Sequence, residues 1–331
     1  MQAVMQKNAG VESNAPTTQG AKKKFWRKQN KDRIFISLML LWPIAHFLVF
    51  WLYMNFDSLL MTFRHVNVTT GLNEWYGFRR YADIINHIFG SESRANPMFR
   101  NGLLNSLTVF PVNNLIILPL SFVCAYFMFK RVPMANLFRV IFFLPSIVSI
   151  VVLTMSFRYM FNTEFGPFSN IINTIFGVRP DYFSAMSPTA MPMVFLFCVW
   201  AGLGYNVILI GGAMARVPAE IIEYGKLDGV GKAREMFQIM LPLTWPTIST
   251  LIVLNALAVF GFWLQPMLLT GDGSFEGRTS TIGLLVVDII KASNADVADA
   301  AALGILFSAA GIPFILLLRW ILSKISADVE F

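Results

Sequence analysis

Long apolar runs separated by shorter polar stretches dominate this chain, and the lengths of the runs decide its class. A helix needs about 20 apolar residues to cross roughly 30 Å of hydrocarbon. Six runs qualify, at residues 34–56, 103–129, 138–161, 191–215, 246–269 and 298–322. Because hydrocarbon tolerates only helices or closed barrels, this pattern predicts an all-α membrane protein with about six transmembrane helices forming one domain over residues 34–325. A polar island at 217–242 stands between the fourth and fifth runs. There Pro218 suits the first turn of a helix, Glu220 and Glu223 complement the positive end of its dipole, and Asp228-Gly229 reads as the turn that ends it. A second short helix, carrying Met236, Phe237 and Met240, is predicted before Leu241-Pro242 re-enters the membrane.

Composition agrees: 56% of residues are hydrophobic and only 14% charged, where soluble domains carry about 25% charged residues. The first run follows a polar segment and exceeds the length of a signal-peptide core, so it is expected to remain in the mature chain. Residues 1–33 read as a disordered tail ending in a basic membrane-surface anchor, Lys22-Lys23-Lys24-Phe25-Trp26-Arg27-Lys28.

Lys and Arg stay on the cytoplasmic side during insertion. With the N-terminus inside, about 17 of the 26 Lys and Arg fall on cytoplasmic segments: the tail, the Lys130-Arg131 turn, the island and the span ends near Arg139 and Arg319. Both termini are thus predicted to be cytoplasmic. The net charge of +7 reports this topology and requires no acidic ligand.

Catalytic chemistry is hard to find. Cys124 and Cys198 lie inside predicted spans and suggest no disulfide. His46, His65 and His87 lack the i, i+4 pairing of a helical metal site. Gly231-Lys232 lacks the following Ser or Thr of a phosphate loop, since Ala233 stands there. No cofactor is expected on this chain, and any ATP and Mg would be handled by other subunits.

In the island, Glu223, Gly229 six residues later, Ile239 ten beyond that, and Leu241-Pro242 resemble in register the EAA motif of inner-membrane subunits of ABC importers. Pro218 and Asp228 match its carbohydrate branch. Over most of the chain beyond the tail, the resemblance is to the first permease subunit of sugar importers of the maltose-transporter family. Asn105-Ser106-Leu107, Phe142-Phe143-Leu144-Pro145, Phe161-Asn162, Gly166-Pro167, Trp200, Leu268-Leu269-Thr270-Gly271 and Val329-Glu330-Phe331 carry it. Two departures stand out: Tyr224-Gly225 replaces paired alanines, and Asp272-Gly273 stands where Gly-Gly-Pro is common.

The resemblance implies a multi-pass permease subunit in the bacterial plasma (inner) membrane, importing a carbohydrate, with an oligosaccharide favoured, by alternating access. It also implies a homologous second permease, two ATP-binding subunits and an extracytoplasmic solute-binding protein. The loop 217–242 would be the coupling region. There Glu223 would face the ATPase, Gly229 would set the angle between two helices, and apolar residues such as Ile222 and Leu227 would be buried in the joint.

Polar and aromatic residues inside spans mark the substrate path, because each is costly in lipid. Trp200, Gly202, Tyr205 and Asn206 cluster in the fourth run, and Asn255, Phe262, Trp263 and Gln265 in the fifth. Aromatic faces for a pyranose and amides for its hydroxyls make a sensible sugar site. The family pattern puts sugar contacts at Ser146, Ile150, Gly202, Tyr205, Asn255, Ala258, Val259 and Phe262. Ala258, Val259 and Phe262 stand where the maltose permease has a ring and two amides, so this pocket is less polar. Pro111, Pro119 and Pro145 interrupt spans as kinks or hinges. The external loops 64–100 and 162–190, with Trp75 to Arg80 and Arg179 to Tyr182, are candidate surfaces for the binding protein.

A stand-alone ion-coupled sugar carrier is the alternative. It would need intramembrane ionisable groups, and only Arg158 and Asp288 come near that description. A structural scaffold does not account for the register from Glu223 to Pro242.

Overall fold

The structure, a computed structural model, describes residues 18–66, 73–90, 96–177, 181–184, 187–271, 278–292 and 297–325, with side chains from Lys31 onward. The chain divides into two compact units, Met1–Leu60 and Met61–Phe331. The first is helical from Thr18, not from residue 34. The tail segment Lys22–Lys28 consists largely of Lys and Arg, good helix formers, and simply extends the span that follows. The earlier part of the predicted tail lies outside the described residues, as do Val329-Glu330-Phe331 and Asp272-Gly273.

Five described helices are long and apolar enough to cross a membrane: Lys31–Thr62, Pro97–Phe129, Ala190–Met214, Lys232–Ala258 and Val297–Ile325. The expected third span is instead two helices, Ala135–Ile147 and Ile150–Met160, bent by 107° at Val148-Ser149; counting that pair as one span gives six. Both residues at the bend are extended in ψ. Pro145, which has no N–H to donate, lies just before them.

Three other spans are irregular where proline intervenes; the first has a π segment at Phe47–Tyr53, just after Pro43. The second widens into a π turn at Val112–Ile117, between Pro111 and Pro119. The fifth begins at Lys232, well before the predicted residue 246, passes through a π turn at Glu235–Met240 and ends at Ala258. A separate short helix, Leu264–Thr270, follows a break. Further helices at Arg79–Phe89, Pro167–Phe176 and Ile282–Lys291, with an antiparallel pair of strands, Arg64–Val66 and Asn73–Trp75, occupy segments that the sequence leaves as loops.

Packing centres on the fourth span. Val207, Ile210 and Met214 join Phe122 and Tyr126 of the second span and Met240, Ile248 and Leu251 of the fifth in one buried cluster. Against the third span the approach is closer still. A Cβ on Gly204 would lie 2.0 Å from the carbonyl oxygen of Phe142, so only glycine lets these helices pack at this depth.

At the opposite end from the 217–242 loop, Arg80 is buried. It donates to the backbone carbonyls of Thr62 (3.2 Å) and Arg64 (2.9 Å) and pairs with Asp299 at the start of the last span. A guanidinium can leave water here because three acceptors surround it.

Gly204→Ala is expected to destabilise the protein by about 1–3 kcal/mol, the range for forced overpacking. Gly211→Ala, where an added methyl meets nothing within 4 Å, is expected to be neutral or better. Thermal unfolding in detergent micelles distinguishes the two.

Candidate functional site

The 217–242 loop forms from its caps inward. Pro218 is the residue just before the helix Ala219–Leu227, with φ −56° and ψ 134°, so its ring fixes the entry without occupying the first turn. Glu220 lies in that turn, beside the exposed N–H groups. At the other end Val230 N–H donates to Gly225 O (2.9 Å) and Gly229 N–H to Lys226 O (3.1 Å), with Gly229 at φ +71°. This pair of bonds is a Schellman cap, and the left-handed conformation at its hinge is the one that glycine adopts without strain.

The expected second short helix is absent. After the Gly229–Gly231 turn, the chain enters the helix that runs unbroken from Lys232 to Ala258. Leu241-Pro242 lies inside that helix, where the preceding π turn accommodates the missing N–H of Pro242.

The loop is fastened to the bundle at two places. Ile239 reaches the backbone of Gly225, where an added Cβ would lie 3.1 Å from its Cδ1. Lys130, in the turn after the second span, pairs with buried Glu235, and the Tyr126 hydroxyl donates to Lys232 O (3.0 Å). Sequence reasoning missed this clamp. Its only trace was a carboxylate followed by Met236 at the foot of an apolar run.

Of the apolar residues expected in the joint, Ile222 packs against the protein's own core. The outward face instead presents Tyr224 (68% exposed), Leu227 (83%) and Phe237 (55%), with Glu223 and Asp228 beside them.

The substrate-path candidates gather at the span breaks. Ser146 and Ile150 flank the bend at Val148-Ser149, while Ala258, Val259 and Phe262 lie at the break after the fifth span. Val148, Ile150, Phe262 and Ala201 all border one cluster built on Leu153, Phe157, Phe197 and Leu269, so the two breaks share a lining. Trp200 stacks on Phe157 with ring centroids 5.9 Å apart.

Within the π turn of the second span, Asn114 accepts from Asn255 Nδ2 at its Oδ1 (3.0 Å) and donates to Phe110 O (2.9 Å). Gly202 approaches Ile117 of the same turn, an added Cβ lying 3.6 Å from it. Asn114 was not singled out from sequence, although an Asn-Asn pair within an apolar run was the signal. Tyr205 and Ala258 are exposed, whereas Val259 is buried and acts in packing. Ser146 and Asn206 spend their donors on their own helices, on Phe143 O and Gly202 O.

Away from the loop, an outer cavity of about 540 Å³ is lined by His65, Tyr76, Arg80, Asp83, His87 and Asp299. Trp75, Phe78 and Phe89 are exposed aromatics on this side. Arg80 and Tyr182 are buried, unlike the surface roles expected of them: Arg80 is held by the Thr62 and Arg64 carbonyls and Asp299, and Tyr182 joins the cluster around Phe157 and Phe197. Arg179-Pro180 lies outside the described residues. Among the described residues no three His, Cys, Asp or Glu side chains gather where they could hold a metal ion.

Comparison with known proteins places this geometry. The model of the binding-protein-dependent transport system inner membrane component family matches residues 117–329. The probable ABC transporter permease protein MG188 of Mycoplasma genitalium is 28% identical over 237 residues, 69% of this chain and 67% of that protein. The maltose/maltodextrin transport system permease protein MalF of Escherichia coli is 30% identical over 144 residues, 44% of this chain and only 28% of its own length. A chain of a bacterial ABC transporter involved in the import of the acidic polysaccharide alginate superposes with a TM-score of 0.75 at 22% identity, covering 92% of this chain and 100% of that one. That transporter in complex with its alginate pentasaccharide-bound periplasmic protein gives 0.76 at 21% identity.

The Asn114–Asn255 contact predicts a non-additive pair. Asn114→Leu or Asn255→Leu alone strands a half-buried amide and is expected to cost about 1–3 kcal/mol, whereas the double substitution costs less than the sum. Unfolding midpoints of the four proteins measure the coupling, and strict additivity would show that the amides do not interact.

Proposed function

The chain belongs to the family of binding-protein-dependent transport system inner membrane components. From that membership we propose that it is the permease subunit of an ABC importer for a carbohydrate, working with a second permease, two ATP-binding subunits and an extracytoplasmic solute-binding protein. One observation carries the mechanical part. The Schellman-capped helix Ala219–Leu227 is held to the fifth span through Gly225 and Ile239, and Lys130 and Glu235 tie the start of that span to the turn after the second, while the outer face of the helix leaves Tyr224 and Leu227 uncovered.

In this reading the loop lies in the cytoplasm, both termini with it, and the outer face of Ala219–Leu227 sits in a cleft of the ATPase. Pro218, Glu223, Tyr224, Asp228 and Gly229 shape or face that cleft. Ile239, Leu241 and Pro242 join it to the fifth span. Burial of Tyr224 and Leu227 is worth about 1.5–3 kcal/mol each, enough to keep the joint closed through a cycle of ATPase closing and opening. ATP and Mg act on the partner subunits, and this chain supplies the path.

The path runs beside the two span breaks, where Ser146, Ile150, Trp200, Gly202, Tyr205, Asn255, Ala258 and Phe262 are proposed to guide the sugar. Rings give it a stacking surface and the Asn114–Asn255 pair gives hydroxyl partners. Names of related proteins support a saccharide: maltodextrin for one and alginate for another. An ion-coupled carrier is less well supported, since Asp288 sits on the short helix Ile282–Lys291 and not on a span.

Gly229→Pro is expected to leave the protein in the membrane and abolish uptake, because proline cannot adopt φ +71°. Normal ATP-driven uptake by this variant counts against the coupling role. Leu227→Asp should lose the co-purifying ATPase by about tenfold or more, while the chain's own thermal midpoint holds. Retention of the ATPase would remove Leu227 from the joint.

A further inference from the structure

A second cavity, of about 1040 Å³, opens where the second span ends, the third begins and the fourth runs out toward the loop. Its lower wall is apolar, made by Met128, Phe129, Val207 and Ile208, and Gly211-Gly212 leaves a step in the fourth span. Its mouth carries Arg131, Arg139 and Asn136, and no acidic residue lines it. Both arginines are exposed, and among the described residues neither guanidinium has a hydrogen-bond or ion-pair partner.

Arg139 is the telling residue. It stands one turn inside Ala135–Ile147, among exposed Leu137, Phe138, Val140 and Ile141, on a helix otherwise fit for lipid. A charge at such a depth is costly unless an anion meets it near the headgroups. Lys130 next door is already used by Glu235, so the charge facing the cavity comes from Arg131 and Arg139.

We propose that this cavity holds an anionic phospholipid, its phosphate between Arg131 and Arg139 and its upper acyl chain in the crevice along Gly211-Gly212. Guanidinium groups bind phosphate through paired N–H donors, and basic pockets between spans on the cytoplasmic side are where such headgroups are held. Placing this end of the bundle in the cytoplasm rests on the importer reading above. A helix of the second permease is the competing occupant, favoured by small residues at 211 and 212. It would have to bring its own acid to meet two arginines, which the lipid does by its nature.

The lipid also sits where it would matter. The turn that carries Arg131 carries Lys130 as well, and through Glu235 that turn touches the start of the fifth span, on which Ile239 meets Gly225 of the loop. Filling the cavity therefore stiffens the support of the coupling helix.

The test measures lipid directly. The assembled importer, and separately the full chain alone, are reconstituted in nanodiscs of phosphatidylcholine with or without phosphatidylglycerol, re-extracted, and weighed by native mass spectrometry. Wild type should retain phosphatidylglycerol, and the double variant Arg131→Gln with Arg139→Gln should retain about tenfold less or lower still. Gly211→Leu with Gly212→Leu, which fills the crevice and keeps both charges, should lose it equally. Equal retention by wild type and both variants, or no preference over phosphatidylcholine, overturns the proposal. Stabilisation of the delipidated protein by inorganic phosphate to the same degree as by phosphatidylglycerol would make the site one for a free anion and overturn the lipid. A disulfide between Cys substituted at Arg139 and the second permease would do the same in favour of the protein occupant. Failure of the importer reading shows elsewhere, as an ATPase that neither co-purifies nor responds to a binding protein, while lipid retention by the chain alone remains readable.

Discussion

In hydrocarbon an unpaired backbone amide or carbonyl costs several kcal/mol, and among the described residues four spans depart from regular α-helix, the first, second, third and fifth. In the last three the irregularity is answered locally. Thr281 donates its hydroxyl to the Phe262 carbonyl at the break after the fifth span. Ser121 donates to Ile117 O, and Asn114 to Phe110 O, on either side of the π turn in the second. Leu153 N–H reaches back to Ser149 O (2.9 Å) to restart the helix after the 107° bend. Irregular backbone at membrane depth survives only when buried in protein or facing a cavity. The breaks are therefore bound, on energetic grounds alone, to lie in protein or to face a cavity.

The same constraint shapes how the fourth span packs. The fourth span is long and regular, and Gly204 lets it lie against the third at van der Waals depth. It leads through a short turn into the helix Ala219–Leu227, whose far end is capped into the fifth span. Ile239 on Gly225 holds the helix Ala219–Leu227 against the fifth span, and Lys130 on Glu235 ties the start of that span to the turn after the second. Breaking a buried ion pair leaves a stranded charge, at about 3–5 kcal/mol where burial is complete. Glu235 is buried but Lys130 is partly exposed, so this clamp falls below that range and is better suited to fixing geometry than to adding stability.

Much of this was legible in the sequence. Apolar run length pointed to the number of spans because the membrane imposes a minimum, though not to where the third breaks or the fifth begins, and Asp228-Gly229 marked the end of the short helix because its cap needs a left-handed residue. The bend at Val148-Ser149 was not legible, since Pro145 alone fits a kink as well as a break. Nor was the unbroken helix through Leu241-Pro242, because a π turn can absorb a proline that usually marks a boundary. Helices such as Ile282–Lys291 are too short for the span rule, and the Lys130–Glu235 pair joins residues far apart in sequence. Such contacts depend on tertiary packing that periodicity does not encode.

The departure at Tyr224-Gly225 follows from the packing around it. Gly225 faces inward and is buried under Ile239 and Val230, so an alanine there would push Ile239, whose Cδ1 is already 3.1 Å from the position of the missing Cβ. Without that methyl the helix Ala219–Leu227 settles against the fifth span, while the neighbouring position turns outward. At that outward position a tyrosine meets no steric limit in this chain and adds apolar surface capped by a hydroxyl. The two changes thus act on opposite faces of one helix, one drawing the loop onto the bundle and the other enlarging the face left for a partner. On the importer reading, the ATPase cleft that receives this helix must therefore be wider opposite Tyr224 than a cleft shaped for alanine.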